Sequence, residues 1–341
     1  MLRKIVLLAV SLVVAGVLAS CSALEGDGRH LTPLSGAAKS RLAAMGSSPQ
    51  AAMMVRIFKE ESTLEVWKQT AGGSFKLFQS YEICTWSGDL GPKFYEGDRQ
   101  APEGFYTITP GLMNPNSNYY LAFNLGFPNR YDRTHGRTGS HLMVHGACSS
   151  AGCYAMEDEQ IAEIYALARE SFTGGNRSFE VQIFPFRMTP ENMAKHQSSE
   201  HIDFWNNIKQ GYDYFEVANT PPAWDVCEGR YVFRQPSAVN ATAAMAGSCQ
   251  AVVADASIVS AFQARQSADA AAIQSAIMRL ADSEAAAAEA EQRRLNAEAE
   301  MAARSEAINS AVGGFFDTIF SPLNALAPNQ PETVAESTPQ S

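Results

Sequence analysis

The sequence predicts a β-rich domain of the sandwich type with helices packed on it, followed by a long Ala-rich α-helix. Three observations carry this. Between Met53 and Phe186, short apolar runs recur with Gly, Pro and Asn between them, the pattern of strands joined by turns. Ile161, Ile164, Tyr165, Ala168 and Phe172 fall at helical spacing instead. From about Ala251 to Ser310, Ala, Glu, Gln and Arg dominate with no Gly or Pro, which favours helix by propensity alone.

The chain has 341 residues, of which 46% are hydrophobic and 18% charged, enough for one globular domain plus extensions. Residues 1–20 read as a signal. Arg3 and Lys4 are basic, Ile5 to Leu18 is an apolar run short of a membrane span, and Leu18-Ala19-Ser20-Cys21 has the form of a bacterial lipoprotein cleavage site. Cleavage would leave Cys21 as the acylated first residue, and Ser22 behind it suggests the outer membrane. Residues 21–50, rich in Gly, Ser and Ala, read as a flexible tether.

The domain is expected over 51–233. Met53, Val55 and Ile57 alternate and, with Leu64 to Gln69, predict a hairpin. Gly72-Gly73 turns the chain into Phe75 to Trp86, and further strands are expected at Gly104–Thr109, Tyr119–Asn124, Leu142–His145 and Phe179–Phe186. Thr189 as N-cap and Pro190 at the first position predict a helix running to about Lys209, with His196 and His201 exposed on it. Trp205, Tyr212, Tyr214 and Phe215 form an aromatic face, either closing the domain or lining a sugar-chain groove. The long helix is expected over 251–312. Its sparse stripe, Ile273, Ile277, Leu280, Leu295, Met301 and Ile308, fits a solitary exposed helix or an oligomeric coiled coil. Residues 313–341 read as an amphipathic segment with Phe315, Phe316 and Ile319, then a polar tail.

The net charge of −10 repels phosphate backbones and argues against nucleic acid as a partner. Of six cysteines, Cys21 is assigned to lipid, leaving Cys84, Cys148, Cys227 and Cys249 around Cys153. Four cysteines allow three connectivities, and spacing does not choose among them. No paired short spacing of a zinc site exists, so neither metal nor cofactor is predicted.

The chemistry concentrates in His141 to Met156. A thiol attacks as its thiolate and needs a neighbouring base or a positive potential. His145 and Cys153 lie close enough in sequence for a strand ending at His145 to be followed by a tight turn that brings Cys153 beside it. The small residues Ser150, Ala151 and Gly152 let backbone N–H groups near Gly152 and Cys153 face a developing oxyanion. Cys153 is expected just before the N-terminus of the helix carrying Ile161, where the macrodipole favours a thiolate. A structural reading stands beside this one, with Cys148 and Cys153 as a disulfide or buried pair.

Val144-His145-Gly146 followed by Ser150-x-Gly152-Cys153 resembles the active-site motif of the L,D-transpeptidase catalytic domain (YkuD-like), particularly its lipoprotein-processing branch in Gram-negative bacteria. The resemblance runs from about Met53 to Phe233 through Ile83–Gly88, Leu90–Lys93, Pro102–Tyr106, Met113–Pro115, Tyr131–Arg133, His135–Gly139 and Phe184–Met188. It implies Cys153 as nucleophile, His145 as general acid/base and the Gly146 carbonyl as orienter of the imidazole. Two departures stand out: Ala151 where most members carry a second histidine, and a shorter loop between His145 and Cys153. His135 competes as base, but a strand end holds an imidazole more rigidly than its Gly-rich loop. Arg137 could grip a substrate carboxylate or pair with Asp132 or Glu103. Lys93 reads as a solvated lysine that could meet an acidic stem peptide.

The expected function is thiol-based transfer on peptidoglycan stem peptides, forming or exchanging diaminopimelate-linked bonds. The alternatives are hydrolytic release of peptidoglycan-attached lipoproteins or cross-links, and a non-catalytic wall-binding lipoprotein.

Overall fold

The structure, a computed structural model, describes residues 28–234 and 256–324. The predicted signal, Cys21, Cys249 and the polar tail lie outside the described residues. In chain order the strands are β1 (Met53–Phe58), β2 (Thr63–Gln69), β3 (Phe75–Glu82), β4 (Thr85–Trp86), β5 (Gly104–Ile108), β6 (Met113–Asn114), β7 (Ala122–Asn124), β8 (Met143–His145), β9 (Tyr154–Ala155), β10 (Phe179–Phe184), β11 (Ala223–Cys227) and β12 (Arg230–Arg234). The helices are α1 (Gly36–Ala44), α2 (Arg130–Thr134), α3 (Asp158–Thr173), α4 (Pro190–Lys195), α5 (Ile202–Ala218) and α6 (Ala256–Asn324).

The strands form two five-stranded sheets, ordered β3-β2-β1-β10-β5 and β4-β9-β8-β7-β6, with β11-β12 as a separate ribbon. Each large sheet contains one parallel pair, β1 with β10 and β8 with β9. One apolar core draws on both sheets and on α3: Val55, Ile57, Val66, Ile108, Phe123, Val144, Tyr154, Ile164 and Val181 are all within 1% of full burial. β1 is buried along its whole length because it lies between β2 and β10. Its one charge, Arg56, pairs with Glu216 at 2.7 Å under the rings of Tyr212 and Phe215. A second cluster gathers Phe58, Phe105, Phe184, Phe186, Trp205 and Tyr231, so the predicted aromatic face is mostly domain interior.

Three expectations on organisation change. Residues 28–50 are docked rather than a free tether, because Leu34, Ala38 and Leu42 recur every fourth position and enter the main core. Arg169 also holds this segment, donating to the carbonyls of His30 and Thr32. The helix predicted from Thr189 to Lys209 is two, since Ser198-Ser199 open a turn and the Ser199 hydroxyl accepts the His201 N–H. The long helix continues through Gly313-Gly314 to Asn324, so 313–324 is not a separate segment.

One compact unit ends at Ala276 and a second begins at Ile277. In the first, the opening turns of α6 meet α5, with Asp269 paired to Lys209, Arg265 to Asp213 at 3.1 Å, and Ile273 against the second cluster. Over its described residues the second is helix, with Met278, Met301, Ile308, Phe315 and Phe316 exposed. Among the described residues no helix is long and apolar enough to cross a membrane.

Candidate active site

β8 and β9 put His145 and Cys153 on one face. Their parallel register matches Val144 with Tyr154 and His145 with Ala155. Val144 and Tyr154 are both fully buried in the main core. Side chains alternate along a strand, so His145 and Cys153, the residue leading into β9, share the other face. The turn between them is therefore a crossover, not a hairpin. Parallel strands ordinarily need a dozen or more connecting residues, and residues 146–153 manage the return through left-handed backbone at Ala147 (φ 63°), Cys148 (φ 43°) and Gly152 (φ 123°). Several ties hold this loop. Gly146 N–H donates to the carbonyls of Tyr119 and Leu121 at 3.0 and 3.1 Å, and Ala147 N–H to Asp158 Oδ1 at 2.8 Å. A disulfide joins Cys148 to Cys84, with Cα atoms 5.3 Å apart. Cys227 is also disulfide-bonded, and Cys153 is the free cysteine among the described residues. The alternative pairing of Cys148 with Cys153 is thereby excluded.

His145 is 3% exposed, and its Nδ1 lies 2.6 Å from the Gly146 carbonyl oxygen. A carbonyl only accepts, so Nδ1 carries the hydrogen and Nε2 keeps the lone pair that can take a proton. The Tyr119 ring lies 4.7 Å from the imidazole, centroid to centroid. Burial holds the imidazole pKa below its ordinary value, partly opposed by the Gly146 carbonyl. The Cys153 thiol is pushed up by burial, against the Met143 backbone and the Lys93 charge, which pull it down. It donates towards the His141 carbonyl at 3.6 Å. At neutral pH both shifts favour an uncharged thiol and an uncharged imidazole on this face.

Two expectations for this loop are corrected. Cys153 does not precede a helix N-terminus: β9 intervenes, α3 starts only at Asp158, and the macrodipole acts within the first turn. The amides of Gly152 and Cys153 are not open to an oxyanion either. Gly152 N–H donates to Ser87 Oγ and Cys153 N–H to Ser150 Oγ, each at 3.0 Å, because the same small residues let the turn satisfy itself.

The other predicted residues lie apart from this pair or behind it. His135 is exposed, bonded to the Gly229 carbonyl and stacked near Tyr131 at 4.4 Å. Arg137 is buried on Asp132 at 2.9 Å under Phe94, Tyr131 and Phe204, which is the structural reading. Lys93 is not solvated. It is 3% exposed and bonded to the Tyr95 carbonyl and Asp98, with its charge near enough to act on Cys153. His196 pairs with Glu60 and stacks on Phe186, and both it and His201 are half-buried rather than exposed. Sequence reading missed Tyr119, the His141 carbonyl and Ser87, since none has a local pattern to mark it. The one cluster of potential metal ligands among the described residues is Cys84, Cys148 and Glu157, whose two sulfurs are consumed by the disulfide.

Residues 51–215 match the profile of the L,D-transpeptidase catalytic domain, YkuD. The chain is 44% identical over 235 residues, 69% of its own length and 92% of the relative's, to "Putative L,D-transpeptidase YafK" of Escherichia coli K12, and equally to that of strain O157:H7. The chain belongs to the L,D-transpeptidase family. Among solved structures, the helical cell shape determining protein Pgp2 of Campylobacter jejuni (K307A mutant) aligns at 18% identity with a TM-score of 0.33, covering 57% of this chain and 66% of that one. Bd1075 of Bdellovibrio bacteriovorus aligns at 18% identity and 0.28, covering 50% and 61%. Membership gives the chain peptidoglycan L,D-transpeptidase-type function and a peptidoglycan substrate.

Proposed function

We propose that the chain is a cysteine acyltransferase in which Cys153 is the nucleophile and His145 the acid/base, and that it forms or exchanges diaminopimelate-linked bonds in peptidoglycan. The observation that carries this is the β8–β9 register, which sets a free thiol and an imidazole of fixed tautomer on one face. His145 Nε2 takes the thiol proton as the sulfur attacks the carbonyl at the L-centre of a diaminopimelate residue in a stem peptide. The tetrahedral intermediate collapses as the imidazolium gives that proton to the leaving amine, and a thioester remains on Cys153. An incoming amine, giving up its proton to His145, replaces the sulfur and restores the thiol. Water in its place makes the reaction hydrolytic. That second reading is favoured by the exposed Ala151, where most family members place a second imidazole: fewer groups position an amine against abundant water. The substrate would then include peptidoglycan-attached lipoproteins. Cys21, as a lipidated terminus, would hold the protein at the periplasmic face of the envelope, on the outer membrane.

The test is incubation of protein lacking the lipid anchor with muropeptides carrying a diaminopimelate-linked stub, followed by mass spectrometry. Amine-exchanged products identify transfer and free acid identifies hydrolysis. A silent wall-binding protein would give neither, and would leave a carbapenem unreacted.

A further inference from the structure

The segment Cys84–Ser87 runs beside the nucleophile loop and grips it at three levels. Cys84 holds Cys148 through the disulfide, and Thr85 and Trp86 pair with Ala155 and Tyr154. At the loop's tip Ser87 Oγ lies 2.9 Å from Ser150 Oγ and accepts the Gly152 N–H at 3.0 Å. Ser150 Oγ accepts the Cys153 N–H at 3.0 Å and donates to the Cys153 carbonyl at 2.7 Å. Hydrogen placement in this circuit follows from donor chemistry. The Cys153 carbonyl only accepts, so the Ser150 hydrogen belongs there, and the hydrogen between the two hydroxyls must come from Ser87. Ser150 thus holds both peptide groups flanking the Cys153 Cα, which sets the direction of the Cα–Cβ bond that carries the sulfur. Ser87 holds Ser150 and also Gly152, whose φ of +123° is open to glycine and would relax without a tie.

We propose that Ser87 is a positioning residue for the Cys153 thiol, acting through Ser150 and the Gly152 amide and touching no reacting atom. This rests on Cys153 being the nucleophile. Removing the Ser87 hydroxyl leaves the Gly152 N–H only its 3.4 Å contact to Ser150 Oγ and deprives Ser150 of one of its donors, so the loop tip loosens and water reaches the half-buried sulfur. Attack then slows because the sulfur is misdirected, while ionisation becomes easier because desolvation is relieved. A merely structural serine would not produce that opposed pair of effects.

The experiment compares wild type, Ser87→Ala, Ser87→Thr and Cys153→Ser as full chains with the disulfide intact. Carbapenem acylation is followed by intact-mass spectrometry across inhibitor concentrations, and iodoacetamide alkylation of Cys153 across pH. Ser87→Ala should lower the maximal acylation rate about tenfold, the scale of a small misplacement of a reacting group. The half-saturating concentration should hold within about twofold and the alkylation midpoint should fall. Ser87→Thr, which keeps the hydroxyl, should recover most of the rate. Should Ser87→Ala not fold, Ser87→Cys carries the same expectation, since its S–H is a weak donor and acceptor. A Ser87→Ala protein that acylates at the wild-type rate or faster, or an unshifted alkylation profile, overturns the proposal. If Cys153→Ser still acylates, the nucleophile assignment has failed instead. If it is inert while Ser87→Ala is normal, only the role of Ser87 is lost.

Discussion

Two loops of this domain each carry a histidine beside a glycine, and the fold ties their side chains down to different degrees. In the loop around His135 both long side chains are held: His135 on a backbone carbonyl, and Arg137 on Asp132 beneath three aromatic rings. Around His145 one ring nitrogen is tied down and the other left with a lone pair, and the sulfur's polar contacts are with backbone, the His141 carbonyl at 3.6 Å and Met143. A residue's type names what it can do. Whether it is free to do it depends on how completely the fold has satisfied it.

The comparison breaks most sharply at the thiol. Cys153→Ser should abolish carbapenem acylation, and His145→Ala should slow it about 10²- to 10⁴-fold, the usual contribution of a positioned acid/base. Intact-mass kinetics read both, and residual acylation in Cys153→Ser would refute the assignment. The same site has a pH signature. Thiolate exists above the thiol's pKa and burial raises that pKa, so iodoacetamide alkylation of Cys153 should rise on the alkaline side of a free cysteine. The depressed imidazole argues against a flat thiolate–imidazolium plateau at neutral pH. A plateau between pH 5 and 8, the imidazole's ordinary range, would mean that a charged pair forms at rest.

In the other loop the effect should fall on stability. Arg137→Ala strands Asp132 in the interior and should cost about 3 kcal/mol, as for a buried pair deprived of one partner. Urea denaturation measures this, and wild-type stability with lost substrate binding would restore Arg137 to the site. Reduction of the Cys84–Cys148 bond should cost about 2–4 kcal/mol through the unfolded chain. It should also slow acylation, since that bond anchors the start of the loop. Full activity in reductant would show that the serine contacts suffice alone. His135→Ala should change stability by no more than about 0.5 kcal/mol, as for an exposed surface position, and leave acylation untouched. A loss of acylation there would reverse the comparison of the two loops.

Much of the architecture was written locally. Alternating and continuous apolar runs marked most of the strands, the 3.6-residue period marked α3, and an Ala-rich composition marked α6, because these depend on short-range periodicity and propensity. The imidazole and the Gly146 carbonyl are neighbours in sequence, so their hydrogen bond was also legible. What the sequence could not show was which distant groups would complete them. Whether residues 28–50 float or dock depends on a core partner that no local pattern names. The aromatic stripe of α5 left a domain-closing face and a sugar-chain groove open, and the second cluster that packs over it decides for the interior. Lys93 looked solvated, yet the fold buries it beside Asp98 with its charge acting on the thiol. The capping of the Gly152 amide depends on Ser87, 65 residues before it. Periodicity and propensity are properties of neighbours in the chain, whereas desolvation, register and hydrogen-bond completion belong to neighbours in space, and only the tertiary structure decides who those are.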